Sequence, residues 1–122
     1  MGSNMSTFEW PIEIGTPAGD HFEQIAVSVD TGSSLTFAPR EMLERLGVQP
    51  TEREEFELAN GSIEVREVGE TRVRLEGRVL TTRIGFGEPG DASVLGAYTL
   101  EGSSLAVDPV NQRLIRVRRR WM

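Results

Sequence analysis

The stretch Ile25-Ala26-Val27-Ser28-Val29-Asp30-Thr31-Gly32-Ser33-Ser34 ends an apolar run on a carboxylate and then turns at once, and the rest of the chain has to be built around that junction. Apolar Ile25, Val27 and Val29 alternate with small Ala26 and Ser28, which is the period of a part-buried strand. Such a strand delivers Asp30 on a rigid element. Gly32 permits a sharp turn and the close approach of other backbone, while Thr31 and Ser33 place hydroxyls on either side of the carboxylate.

The remaining sequence supplies more strands. Phe8, Trp10, Ile12 and Ile14 alternate with Glu9, Pro11 and Glu13. Pro11 cannot donate to a ladder, which puts this strand at an edge or beside a subunit boundary. Gly15-Thr16-Pro17-Ala18-Gly19-Asp20 is turn chemistry. Beyond the Asp30 turn, Leu35-Thr36-Phe37-Ala38 reads as a short strand entering a helix. Pro39 suits the first helical position, Met42, Leu43 and Leu46 share a face, and Gly47 is a stop. Asn60-Gly61 lies between alternating segments and signals a hairpin with a type I′ turn. That register sets Leu58 opposite Ile63 and Phe56 opposite Val65 on one surface, with Glu57 opposite Glu64 on the other. A like-charge pair of this kind calls for a solvated face. Residues 68–84 continue the strand pattern with a turn near Gly77, residues 85–91 form a Gly/Pro loop, and Val94-Leu95-Gly96 precede one or two helical turns that stop at Gly102. Leu105-Ala106-Val107 and Leu114-Ile115-Arg116-Val117 flank the turn Asp108-Pro109-Val110-Asn111 as a last pair of strands. A chain of 122 residues, 38% of them hydrophobic, supports one core. Many short strands, 13 glycines and two brief helices predict a mostly β fold, a small closed or partly closed β-barrel.

Several chemistries are excluded. There is no cysteine, hence no disulfide, zinc-thiolate site or thiol nucleophile. The single histidine, His21, reads as an exposed loop residue, so no histidine-rich metal site is available and neither metal nor other cofactor is expected. A net charge of −6 disfavours a general polyanion binder. Arg118-Arg119-Arg120-Trp121-Met122 therefore reads as a solvated basic tail, with acidic residues 52–57 offering an internal partner, and no nucleic acid is expected. No apolar run of about 18 residues occurs, so no membrane association is expected. Met1-Gly2-Ser3-Asn4-Met5-Ser6 fits the spacing of an N-myristoylation signal, but reads as an expression remnant ahead of a natural start at Met5. The expected layout is residues 1–4 as that remnant, 5–117 as one domain and 118–122 as the tail, in a cytoplasmic protein.

Three features follow in order: Asp30-Thr31-Gly32-Ser33 after an apolar strand, the Asn60-Gly61 hairpin, and Val94-Leu95-Gly96 before a short helix and Leu105-Ala106-Val107-Asp108-Pro109. Over residues 8–117 this order resembles the retropepsin-like aspartic proteases, single-lobe relatives of pepsin that include the retroviral proteases and many small bacterial proteins. The resemblance implies a closed β-barrel of the acid-protease type, with one short helix after the active-site loop and one near the C-terminus. It implies that Asp30 is catalytic and faces the Asp30 of a second subunit across a twofold axis. Asp20, Asp91 and Asp108 all lie in Gly- or Pro-containing turns, where bonding to local backbone is ordinary, so a catalytic pair needs two chains.

Two carboxylates that close cannot both ionise cheaply and share one proton. The charged member takes a proton from attacking water while the protonated one stabilises the oxyanion. By the same resemblance Thr31 would bond across the axis to the partner's turn, and Gly32 would bring its N–H toward the carboxylates. Ser33 stands where retroviral enzymes usually carry alanine and would donate to Asp30. Leu58, Ala59, Asn60, Gly61 and Ser62 match the flap over the substrate, with a tip less glycine-rich than in the viral enzymes. Val94, Leu95 and Gly96 would brace the loop from behind, and residues 8–14 and 114–117 would form an intersubunit sheet. The implied function is a homodimeric aspartic endopeptidase acting on an extended peptide or unfolded protein. Two other readings stay open: a dimeric peptide-binding module of the same fold that does not cleave, and a monomeric β-barrel in which Asp30 caps a turn.

Overall fold

The structure, a computed structural model, describes residues 7–122, so the expected N-terminal remnant and the myristoylation pattern lie outside the described residues. Along the described chain run β1 (Glu9–Gly15), β2 (Phe22–Val29), β3 (Thr36–Pro39), α1 (Arg40–Arg45), β4 (Pro50–Glu57), β5 (Ile63–Leu75), β6 (Arg78–Gly87), β7 (Val94–Leu95), α2 (Ala97–Gly102), β8 (Leu105–Asp108) and β9 (Arg113–Arg116). The fold is mostly β, as the turn-punctuated alternation requires. One sheet has the order β1-β2-β7-β3-β6-β5-β4, and β1 pairs again with β5, so the pairings run in a circuit with β4 outside it. β8 and β9 form a separate antiparallel hairpin.

Alternating burial explains why the circuit forms. Val27 and Val29 of β2, Ile12 and Ile14 of β1, Val73 and Leu75 of β5, and Ile84 and Phe86 of β6 point into one core, joined by Leu43 of α1, Leu95 of β7 and Leu100 of α2. Full burial of each such side chain contributes roughly 1.5–3 kcal/mol. The two-residue β7 is the keystone of the topology. It lies parallel to β2 (Ser28↔Val94, Val29↔Leu95) and antiparallel to β3 (Phe37↔Val94), filling the gap between the strand that enters the Asp30 turn and the strand that leaves it.

Four sequence expectations change. β1 pairs with β2 along its length and with β5 at Glu13 and Ile14, so the edge inferred from Pro11 is confined to the first half of the strand. Pro39 ends β3 and stands at the N-cap of α1 rather than inside its first turn.

The largest change is in the β4–β5 hairpin. Its register is Glu57↔Ile63, Phe56↔Glu64, Glu55↔Val65, Glu54↔Arg66 and Arg53↔Glu67, one residue away from the two-residue loop expected at Asn60-Gly61. The Gly61 N–H donates to Leu58 O (2.8 Å), the Leu58 N–H donates to Ser62 O (2.8 Å), and Gly61 alone of the central residues has positive φ, +88°. This is a three-residue loop of type I with a glycine bulge. Sliding by one removes the Glu57–Glu64 opposition and sets Glu54 across from Arg66. A one-residue slip also splits the apolar set. Phe56 turns inward onto Phe37, with ring centroids 5.1 Å apart at 75°, while Ile63 (52% exposed) and Val65 lie on the other face with Glu55 and Glu57. The two-residue turn with positive φ at both central residues occurs instead at Glu76 (51°) and Gly77 (78°), between Leu75 and its partner Arg78.

The basic tail also differs from expectation. Glu52 and Glu54 are bound by Arg83 of β6. Arg119 donates instead to Ser104 Oγ (2.7 Å) and to the carbonyls of Glu101 (2.6 Å) and Gly102 (3.0 Å) at the end of α2, the first of which also accepts the Ser104 N–H (3.1 Å).

Candidate active site

Asp30 follows the last residue of β2 and is half-buried. Its N–H donates to Leu95 O (3.0 Å), its carbonyl accepts the Ser33 N–H (3.1 Å), and its Oδ1 accepts the Gly32 N–H (2.9 Å). A Cβ at Gly32 would lie 3.1 Å from Oδ1, a tight contact that the missing side chain avoids. Among the described residues Oδ2 has no hydrogen-bond partner. Asp30 and Thr31 line a cavity of about 320 Å³ together with Thr7, Val29, Val107 and Pro109, so the C-terminal hairpin β8–β9 forms its other wall.

The bed of the loop is made by the turn from β7 into α2. The Ala97 N–H donates to Ser33 O (2.8 Å) and the Tyr98 N–H to Ser34 O (3.0 Å), so the first turn of α2 donates to the loop's carbonyls. Gly96 lies directly under it: a Cβ at this position would stand 2.2 Å from Leu35 O and 2.8 Å from Ser33 O. Val94, Leu95 and Gly96 thus touch the Asp30 segment at successive positions, through the ladder, the Asp30 N–H and close backbone packing. The Ser33 hydroxyl does not reach the carboxylate; it donates to Leu35 O (2.7 Å) and tightens the exit from the turn. The donation to Asp30 expected of Ser33 is therefore not made.

Leu58, Ala59, Asn60, Gly61 and Ser62 form the exposed tip of the β4–β5 hairpin, where Asn60 Oδ1 accepts from the Ser62 N–H (2.9 Å) and hydroxyl (2.7 Å). Among the described residues no hydrogen bond joins this tip to residues 30–33. The hairpin is tied to the site lower down. The Phe56 ring rests on Phe37, which pairs with Val94. Arg66 binds Asp91 through two nitrogens (2.7 and 3.0 Å), and Arg40 binds Glu67 (2.7 Å) and Glu88 (2.8 Å) while lying over the Phe86 ring. The stem of the hairpin, the start of α1 and the loop before β7 are thereby joined by two arginines that the sequence reading passed over. Nothing local marks them, because Arg40 and Glu88 are 48 positions apart.

The Arg66 guanidinium holds the Asp91 carboxyl below its ordinary value, helped by the Glu88 N–H, and Arg40 does the same for Glu88. A depressed carboxyl contributes stability that is present above its unfolded-state value and lost as pH falls through its folded-state value. Asp91→Asn is accordingly expected to melt below wild type at neutral pH, with the gap closing as the pH falls through the acid range. Melting temperatures across pH check this, and a gap that did not vary with pH would contradict it.

Among the described residues no group of His, Asp or Glu is arranged to hold a metal ion. His21 is exposed and stands 3.9 Å from Glu23. Comparison with known proteins now places this arrangement. Residues 18–99, more than half of the chain, match the family model described as aspartyl protease. The chain belongs to the aspartyl protease family. Its fold is retropepsin-like. It is similar to a retropepsin-like aspartic protease from Rickettsia conorii, with 24% identity and a TM-score of 0.52 over 84% of this chain and 88% of that one. It is similar also to the simian foamy virus protease, with 17% identity and a TM-score of 0.51 over 75% of this chain and 92% of that one. No match emerges among curated proteins.

Proposed function

We propose that this aspartyl protease is a homodimeric endopeptidase in which Asp30 of each of two subunits meets its counterpart and activates water for peptide-bond hydrolysis. The observation that carries the reading is Asp30 itself: a carboxylate on a braced turn, with one oxygen bound by the Gly32 N–H and the other left without a partner among the described residues. Two such groups in contact hold one proton between them. The ionised one removes a proton from water as the water attacks the carbonyl carbon, and the protonated one donates to the carbonyl oxygen. Neither a metal nor a covalent intermediate enters the step. In this reading Thr31, exposed beside Asp30, bonds to the other subunit's turn, and the β4–β5 hairpin covers an extended peptide lying as an added strand. Residues 5–117 act as one domain, and the circuit of strand pairings serves as its small closed barrel.

The second subunit docks on the C-terminal side of the cavity. β9 pairs with β8 on one edge, and its Ile115 (38% exposed) points away from the core that takes Leu114. Val117 is exposed as well. Covering this edge and these side chains removes an aggregation hazard and gains apolar burial. Ile115→Asp is expected to weaken self-association at least about tenfold, the effect of losing a central apolar contact. Sedimentation checks this, and an unchanged association constant would contradict it.

The test of function is incubation of the wild type with casein-like unfolded protein between about pH 3 and 8, the range over which carboxylates titrate. The proposal expects cleavage by a dimer. A dimer that binds the substrate without cutting it would favour a peptide-binding module, and a monomer without activity would leave Asp30 as a turn cap.

A further inference from the structure

Three threonines sit in the core with no contact with water: Thr36 of β3, Thr82 of β6 and Thr99 of α2 are each at most 1% exposed. Their hydroxyls form a line. Thr36 Oγ1 and Thr99 Oγ1 are 2.7 Å apart, Thr99 Oγ1 and Thr82 Oγ1 are 2.9 Å apart, and Thr82 Oγ1 lies 3.3 Å from Arg83 O. At the other end, the Gly96 N–H donates to Thr36 Oγ1 (3.1 Å). Gly96 follows the last residue of β7, so its N–H lies beyond the strand ladder.

One assignment gives every hydroxyl proton an acceptor. Gly96 donates to Thr36, Thr36 to Thr99, Thr99 to Thr82, and Thr82 to the Arg83 carbonyl. The reverse order would leave the Thr36 proton without an acceptor. Valine has the shape of threonine without its hydroxyl and would fill the same space with no polar cost, so core filling alone does not call for three hydroxyls in a row. What the line adds is a hold on one particular backbone group, the N–H of the residue whose Cα packs against the Ser33 and Leu35 carbonyls.

We infer that Thr99 is a positioning residue for Asp30, acting through Thr36 and the Gly96 N–H. This rests on the protease reading above and extends it to a residue that does not touch the substrate. Linked hydroxyls strengthen one another in a dry interior, and removing the middle one leaves both neighbours short of a partner. Gly96 is then free to shift, and with it the Leu95 carbonyl that holds the Asp30 N–H. Displacement of a catalytic group by a fraction of an ångström lowers turnover while leaving distant substrate contacts intact.

The test compares Thr99→Val, which removes the hydroxyl, with Thr99→Ser, which keeps it. Both are assayed well below their melting temperatures for kcat, KM and amide exchange at Gly96. Thr99→Val is expected to lose about tenfold in kcat with KM little changed, and to exchange the Gly96 amide faster, while Thr99→Ser stays near wild type. If Thr99→Val does not fold, Thr82→Val at the far end of the line is expected to act in the same direction with a smaller loss of kcat. Equal kcat and equal Gly96 exchange in the valine and serine variants would overturn the inference. A wild type that does not cleave would overturn the protease reading instead, and the Gly96 exchange rates would still decide whether the hydroxyl line holds the turn.

Discussion

Asp30→Asn is expected to lower peptide-bond cleavage by at least about a thousandfold, because it removes both the acid and the base of the proposed pair at once. Its fold should survive. Asn retains an oxygen able to accept the Gly32 N–H, and the backbone bonds to Leu95 and Ser33 do not involve the side chain. Removing a charge that must be brought against its like at a subunit boundary relieves an electrostatic cost, so the melting temperature is expected to equal or exceed that of wild type. Cleavage of unfolded protein and a thermal scan on the same preparation check both parts. A variant that melts well below wild type would mean that the carboxylate is there to cap a turn.

Among the described glycines, Gly96→Ala is expected to give the largest structural effect. The backbone of Gly96 has φ −102° and ψ 178°, open to any residue, so the cost is steric rather than conformational. The new Cβ would stand 2.2 Å from Leu35 O, 2.5 Å from Leu35 C and 2.8 Å from Ser33 O, all backbone atoms that cannot rotate out of the way. Overpacking of this kind costs about 3 kcal/mol or more when no side chain can yield. Whatever fraction folds must do so by lifting the Asp30 loop off its bed. Gly90→Ala is the control: φ there is +92° with nothing within 4 Å of the added Cβ, and the strain of the left-handed backbone alone costs about 1 kcal/mol. Chemical denaturation of the two variants separates these cases, and equal losses would contradict the packing argument.

The Asp30 turn was legible because its signals are local. Alternation in β2 and a glycine two residues after the acid lie within a few positions of Asp30, and the Val94-Leu95-Gly96 run is legible as a contiguous pattern of its own. The strands were legible for the same reason, and so was α1, whose Met42, Leu43 and Leu46 are buried as spaced. The hairpin register was not. Asn60-Gly61 serves a two-residue type I′ loop and a three-residue bulged loop about equally well, and the choice falls to pairings several residues away, where Glu54 meets Arg66 and Arg53 meets Glu67. The ties that shape the site lay out of reach for a further reason. Thr36 and Thr99 are 63 positions apart and Arg40 and Glu67 are 27 apart, and no periodicity records a meeting made by the fold. Ser33 shows the converse: its hydroxyl had a carboxylate three residues back and a carbonyl two residues ahead, and the carbonyl has the shorter path.

The account stands on two chains building one site, and subunit mixing reaches that point most directly. Wild type and Asp30→Asn chains are unfolded together in varied proportion, refolded at constant total concentration and assayed for cleavage. If each site takes one Asp30 from each of two chains, activity follows the square of the wild-type fraction, and an equal mixture keeps about a quarter of it. Activity that fell in simple proportion, to about half in the equal mixture, would mean that one chain suffices and would contradict the shared site.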